Sequence, residues 1–248
     1  MEPELEKLVK ESGHNLHLDV YEILKNGKWK ADLAAYYVDD ISDKPREVDI
    51  QAVRPFLGSR APSESIETLF STFLFVECKW FKKPIAIHSL ENSDVANTAI
   101  VTANIDRKGL TDYPYGPANY HHYVKAGHVG KLYVSEEHNE IFNALTGAVK
   151  SLCFHLGTRQ EKGFYYPIVV FDGINGLYDI FNRKDNGIVE RAIIAFNYSY
   201  RDVASHKPIT RLFYVDFVHR KKLDELLKDI QAEEMRAYKF VTGAPPFP

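Results

Sequence analysis

Cysteine is nearly absent from this chain: there are two in 248 residues, Cys78 and Cys153, each set in an apolar stretch. A disulfide framework is thereby excluded, and no Cys/His spacing suggests a structural zinc motif. Long apolar runs are missing too, since none approaches the ~20 residues that a membrane-spanning helix needs. Basic excess is the third absence. Lys and Arg total 31 against 34 Asp and Glu, for a formal net charge of −3. A stand-alone nucleic-acid binder usually carries an overall basic charge, so any such contact here must fall to local clusters or to a partner. The opening Met1-Glu2-Pro3-Glu4 is acidic and lacks the basic and apolar regions of a secretory signal. A cytoplasmic, reduced protein is expected. No repeat, low-complexity tract or domain boundary stands out, so the expectation is one domain over 1–248.

What is present is an ordinary globular balance, 45% hydrophobic and 26% charged, which suffices for a sizeable core. Leu5, Leu8 and Val9 share a stripe that predicts a short helix over residues 2–12, stopped at Gly13. His14–Leu24 alternates Leu16, Leu18 and Val20 with His17, Asp19 and Tyr21, and reads as a strand. Asn26-Gly27 then reads as a hairpin turn into a second strand, Trp29–Val38. Turn residues over Asp39–Arg46 lead into a strand at Glu47–Val53. A polar segment, Arg54–Ser71, precedes the strand Phe73–Lys79, and Ile85–Leu90 begins another element. The stretch from Ser93 to Gly130 reads as a long loop. The clearest helix follows, capped by Ser135, with Glu136 and Glu137 at its positive end and Gly157 as its stop. Its apolar face is Ile141, Phe142, Leu145, Ala148, Val149, Leu152 and Cys153. Strands are expected at Tyr166–Asp172, Leu177–Phe181, Gly187–Tyr198 and Thr210–Val218. A last helix runs from Lys221 to about Ala237, ahead of a loose end at Gly243–Pro248. This order implies an α/β or α+β domain with a mixed sheet.

The most informative stretch is Phe73-Leu74-Phe75-Val76-Glu77-Cys78-Lys79. Side chains alternate along a strand, so Glu77 and Lys79 share one face, while Val76, Cys78 and Trp80 share the other. Glu47–Val53 has the same grammar, with Val48, Ile50 and Ala52 opposite Glu47, Asp49 and Gln51. Were the two strands neighbours, Asp49, Glu77 and Lys79 would meet on one surface. Charges hidden in a β-rich core cost stability, so the pattern calls for an explanation. The bland alternative is a cross-strand ion pair on a solvated sheet, worth a few tenths of a kcal/mol.

A helix followed by three strands, with Asp49 in Arg46-Glu47-Val48-Asp49-Ile50 and Glu77-Cys78-Lys79 on a later strand, resembles the PD-(D/E)XK nuclease superfamily. The resemblance covers roughly residues 1–90. Val48 stands where the family motif has proline, and the distance from Asp49 to Glu77 implies an insertion over Arg54–Ser71. What the resemblance implies is a restriction-endonuclease-like mixed sheet flanked by helices, followed by further C-terminal strands and a terminal helix. It also implies a metal-dependent endonuclease acting on DNA, in restriction, phage defence or repair. Asp49, Glu77 and the backbone carbonyl of Cys78 would hold Mg²⁺ or Mn²⁺, and Lys79 would hold the attacking water or the phosphate. Hard divalent ions take oxygen ligands and let neighbouring carboxylates ionise together. An acid from the first helix often joins such sites, and Glu2 lies closest to the Leu5/Leu8/Val9 stripe. Gln51 would contact water or phosphate. A homodimer or a partner protein is a further expectation; a membrane is not.

Two other readings remain open. One is a nuclease-like fold without catalysis, serving as a module that binds nucleic acid or a partner protein. The other is a hydrolase using His121 or His122 of Tyr120-His121-His122-Tyr123 as base. Adjacent histidines face opposite ways in a strand, which argues against a shared metal there. Lys82-Lys83 and His219-Arg220-Lys221-Lys222 are short basic clusters, read as solvated. Cys78 is read as a buried small side chain on the apolar face.

Overall fold

The computed structural model describes residues 14–58, 67–91, 105–106, 128–158, 163–180, 187–201 and 207–242. The predicted helix over 2–12, Glu2, His121, His122 and the 243–248 end lie outside them. In chain order the elements are α1 (His14–Asn26), β1 (Lys30–Val38), β2 (Pro45–Gly58), β3 (Glu67–Trp80), β4 (Ile85–Glu91), β5 (Ile105–Asp106), β6 (His128–Val134), α2 (His138–Thr158), β7 (Gly163–Asp172), β8 (Leu177–Asp179), β9 (Ile188–Val189), β10 (Arg191–Arg201), β11 (Pro208–His219), a 3₁₀ turn (Arg220–Lys222) and α3 (Leu223–Thr242).

The first correction concerns His14–Leu24, which is helix rather than strand. Leu16, Val20 and Leu24 recur every fourth residue and are buried, whereas Leu18, which alternation would have turned inward, is 52% exposed. The segment satisfies both periods over its first few residues, and packing of the i, i+4 stripe on the sheet selects the helical one. Asn26-Gly27 accordingly ends a helix instead of turning a hairpin. Gly27 N–H donates to Ile23 O at 3.0 Å and Lys28 takes φ 62°. Much of the polar segment Arg54–Ser71 is strand, because β2 runs on to Gly58 and β3 starts at Glu67. On α2, Phe142 is 45% exposed while the other predicted apolar positions are buried.

The strands form one mixed sheet in the order β1-β2-β3-β7-β11-β10-β6-β4-β8-β9, with β5 pairing the start of β7. β1, β2 and β3 are an antiparallel meander, whereas β7 runs parallel to β3 and β11 parallel to β7. Parallel neighbours need a crossover, and α2 belongs to the connection from β3 to β7. Two apolar layers follow. Leu16, Val20 and Leu24 of α1 and Leu223, Leu226 and Ile230 of α3 pack with Leu74, Val76, Cys78 and Val170 on one face. Ile141, Leu145, Val149 and Leu152 of α2 pack with Phe73, Phe75, Val169 and Phe171 on the other. The central strands, covered on both faces, read as near-continuous apolar runs, as buried parallel strands do. The result is an α/β architecture with a mixed sheet between helices.

Close approach of β3 and β7 requires glycine at 163, where a Cβ would fall on the Ser71 carbonyl oxygen. Because that neighbour is backbone and cannot rotate away, Gly163→Ala is expected to lower stability by roughly 1–3 kcal/mol, read as a lower urea midpoint with an unchanged slope.

Candidate active site

β2 and β3 are paired as far as Ile50 opposite Val76. Past that point β3 stays with β7, through Trp80 opposite Asp172, while β2 stays with β1. The two strands therefore part at Asp49 and Glu77. β1 is irregular at the same level: Ala34 lies between the pairs Leu33–Ile50 and Ala35–Val48, is itself unpaired in the ladder with β2, and has φ 52°. That conformation is costly for a residue with a Cβ, and such strain is characteristic of places where a backbone is held for a purpose. With β2 turning away, the Cys78 N–H needs another acceptor. Asp49 Oδ2 takes it at 2.7 Å.

This bond swings the Asp49 carboxylate toward the side chains of β3. Lys79 Nζ lies 2.9 Å from Glu77 Oε2 and 3.6 Å from Asp49 Oδ2. Asp49, Glu77 and Lys79, predicted to share a surface, are thus joined by one ammonium group. Lys79 keeps a side-chain exposure of 29% and Asp49 21%, against 8% for Glu77. The cluster is open at one end and has Glu77 at its base.

Glu77 reaches that depth because α2 has no side chain above it. A Cβ on Gly147 would collide with the Glu77 carboxylate. Glycine inside a helix costs about 1 kcal/mol relative to alanine, and here the space it leaves is filled by the acid. One turn further along α2, Lys150 is bonded to Asp39, whose other oxygen accepts the N–H groups of Ile41 and Ser42 at 3.0 Å each. This contact ties α2 to the β1–β2 turn and so sets the helix over the site.

Burial pushes the Glu77 carboxyl up to about 7; Lys79 opposes the rise and Asp49 adds to it. Burial works to lower the Lys79 ammonium, but Glu77 and Asp49 outweigh it and hold the group above its ordinary value. The Tyr37 hydroxyl on β1 is pushed up to about 12 by burial and by the negative charge of Glu77 and Asp39. The Cys78 thiol, turned to the α1 face as alternation predicted, is raised well above its usual range, first by burial and then by Asp49 and Glu77. A buried carboxyl and an ammonium that favour each other's ionised forms, beside a second carboxylate, form the kind of perturbed cluster that marks a candidate functional site.

Reading the sequence alone missed His17. On α1 its Nε2 lies 3.5 Å from Asp49 Oδ2, and the donor atoms of His17, Asp49 and Cys78 all fall within 4.8 Å of one another, a grouping able to hold a metal ion. The signal was available: helical spacing of Leu16, Val20 and Leu24 sets His17 beside the inward stripe. Gln51, on the same face as Asp49, has a partner on α2. Its Nε2 is 3.2 Å from His155 Nδ1, and the His155 ring packs 4.5 Å from that of Phe73, so the amide is oriented by the α2 layer. Of the basic clusters, the N–H groups of Lys82 and Lys83 are bound by the Glu137 carboxylate, each at 2.9 Å at its shortest. His219 is buried, with Nε2 3.1 Å from Ile174 O, and Arg220 is paired with Asp172 and Asp19. The solvated reading therefore does not hold for His219 or Arg220, which join β7, β11 and α1.

Comparison with protein-family models, curated proteins and solved structures finds no match to this chain. Among the described residues, no helix is long and apolar enough to cross a membrane.

Two outcomes follow from this geometry. Gly147→Ala is expected to leave stability at or below wild type, read from the urea midpoint, despite the better helix propensity of alanine, because the added methyl would meet the Glu77 carboxylate. For pH, Glu77 rises from 4.5 to about 7 on folding. Its stabilising contribution is therefore complete below about 4.5 and lost as pH climbs through about 7. Metal-free Glu77→Gln should show a flatter decline of stability across that window than wild type; parallel curves would refute the assignment.

Proposed function

We propose that this protein is a divalent-metal-dependent endonuclease that hydrolyses phosphodiester bonds in DNA. The observation that carries the reading is the convergence of Asp49, Glu77 and Lys79 where β2 and β3 part, with Asp49 hydrogen-bonded to the Cys78 N–H. It is supported by the order of elements: α1, then three antiparallel strands, with the aspartate on the second and Glu-x-Lys on the third. These are the features on which the resemblance to PD-(D/E)XK nucleases rests.

The donor set fits a hard cation. Asp49 and Glu77 present carboxylate oxygens around a common ammonium, and the backbone carbonyl of Cys78 is a further oxygen on the same strand. Asp49, Glu77 and Cys78 would hold Mg²⁺ or Mn²⁺, which when bound neutralises charge on the phosphate and makes water acidic enough to attack near neutral pH. The chain's own residues do the rest. Lys79 donates hydrogen bonds to the attacking water or to a non-bridging phosphate oxygen. Its charge also partly offsets the repulsion between Asp49 and Glu77 before a cation arrives. The Cys78 N–H fixes the Asp49 carboxylate, so less reorganisation is needed on binding. Parallel strands β3, β7 and β11 end at one edge of the sheet, which brings Lys82, Lys83, Lys221 and Lys222 to the same edge as Lys79. Acids share that edge, since Glu136 pairs with Lys83 and Glu225 with Lys222, so contact with a polyanion would fall chiefly to Lys79 and to lysines that exchange these partners for phosphate.

The test uses purified full-length protein with Mg²⁺ or Mn²⁺ on plasmid and single-stranded DNA. Asp49→Ala, Glu77→Ala and Lys79→Ala are each expected to lower cleavage by about 100-fold or more while remaining folded by circular dichroism. Cleavage unchanged in all three would refute the assignment. Binding of DNA and of Mn²⁺ through Asp49, with no cleavage by wild type, would identify the non-catalytic module instead.

A further inference from the structure

We infer that the parting of β2 and β3 carries a second, softer metal position, formed by His17 Nε2, an Asp49 carboxylate oxygen and Cys78 Sγ, which takes Zn²⁺ and competes for Asp49 with the hard-cation position proposed above. The competitive part of this inference rests on the nuclease reading; the Zn²⁺ position does not.

The three donors come from three different elements, α1, β2 and β3, so the grouping is held by the fold and not by a loop. Their ligand atoms lie within 4.8 Å of one another. Bonds of about 2.0–2.3 Å in a tetrahedral zinc site set neighbouring donors roughly 3.3–3.8 Å apart. His17 Nε2 and Asp49 Oδ2 already stand at 3.5 Å, and Cys78 Sγ, within 4.8 Å of both, would close to the same spacing on binding. Three protein ligands leave a fourth place for water, the pattern of an exchangeable site and not of a closed structural one.

Side-chain alternation separates the two positions. Cys78 sits in the apolar layer beneath α1, whereas Glu77 lies under α2 beside Gly147. Asp49, at the gap between the strands, reaches toward both: the same Oδ2 faces His17 at 3.5 Å and Lys79 at 3.6 Å. Donor softness then sorts the ions. Imidazole and thiolate attract Zn²⁺ and are poor ligands for Mg²⁺, which prefers Asp49 and Glu77. Zinc binding releases the Cys78 proton to solvent, so its affinity increases with pH. An Asp49 carboxylate drawn toward His17 and Cys78 is withdrawn from Glu77, and a zinc-loaded protein should bind the hard cation poorly.

The test titrates metal-free full-length protein with Co²⁺ as the spectroscopic substitute for Zn²⁺. A thiolate-to-cobalt band in the near ultraviolet, with tetrahedral visible bands, is expected in wild type and lost in Cys78→Ala. Zn²⁺ should displace it and millimolar Mg²⁺ should not. His17→Gln, on a side chain partly open to solvent, removes a ligand and is expected to weaken Zn²⁺ binding by at least the roughly 10–100-fold that loss of an outer-shell partner costs, while the protein stays folded. One equivalent of Zn²⁺ should also reduce Mn²⁺ binding, followed by the free-ion electron paramagnetic resonance signal. Absence of the thiolate band in wild type, its survival in Cys78→Ala, or Zn²⁺ affinity unchanged in His17→Gln would overturn the inference. Zinc binding by a protein that cuts no DNA sinks only the nuclease reading; cleavage without a zinc complex sinks only this one.

Discussion

A single hydrogen bond organises the candidate site: the Cys78 N–H donating to Asp49. A strand that leaves its neighbour must find new partners for its backbone, and buried N–H groups are rarely left unmet. Here the partner is a carboxylate from the departing strand. The bond ends the ladder, aims Asp49 at Lys79 and His17, and holds open the gap in which the charged groups gather. Without the parting of β2 and β3, Asp49 would stand in a regular pleat, and its carboxylate would not meet the Cys78 N–H.

The second constraint is the cost of burying Glu77. A carboxyl in an apolar layer resists ionisation, and the chain offsets this with Lys79 and with the room left by Gly147. The arrangement extends outward, because Lys150, three residues along α2, is anchored to Asp39 at the end of β1. The helix that shelters the acid is thereby pinned to the hairpin that carries Asp49. Site geometry and sheet geometry are one system: α2 cannot shift without moving the space that Glu77 occupies.

Much of this was legible from residues alone, for specific reasons. Alternation has a period of two and depends only on the strand itself, so the facing of Glu77 and Lys79, and of Cys78 opposite them, followed from Phe73–Lys79. The long central strands were recognisable by their β-branched and aromatic runs. Helix α2 was visible through its repeated apolar face. The failure at His14–Leu24 is equally instructive. Leu16, Leu18 and Val20 satisfy alternation, while Leu16, Val20 and Leu24 satisfy a helix, and the sheet that buries Leu24 but leaves Leu18 exposed settles the choice. With the segment misread, His17 was passed over.

By itself the sequence determined which residues of each strand share a face, and that acids and a lysine stand where burial would be expected, because these follow from local backbone periodicity. Only the tertiary structure decided that β2 and β3 part at Asp49, that α1 brings His17 to it, and that Gly147 makes room for Glu77. These contacts join segments distant in the chain, and their geometry is set by how helices pack on both faces of the sheet, which no local pattern encodes.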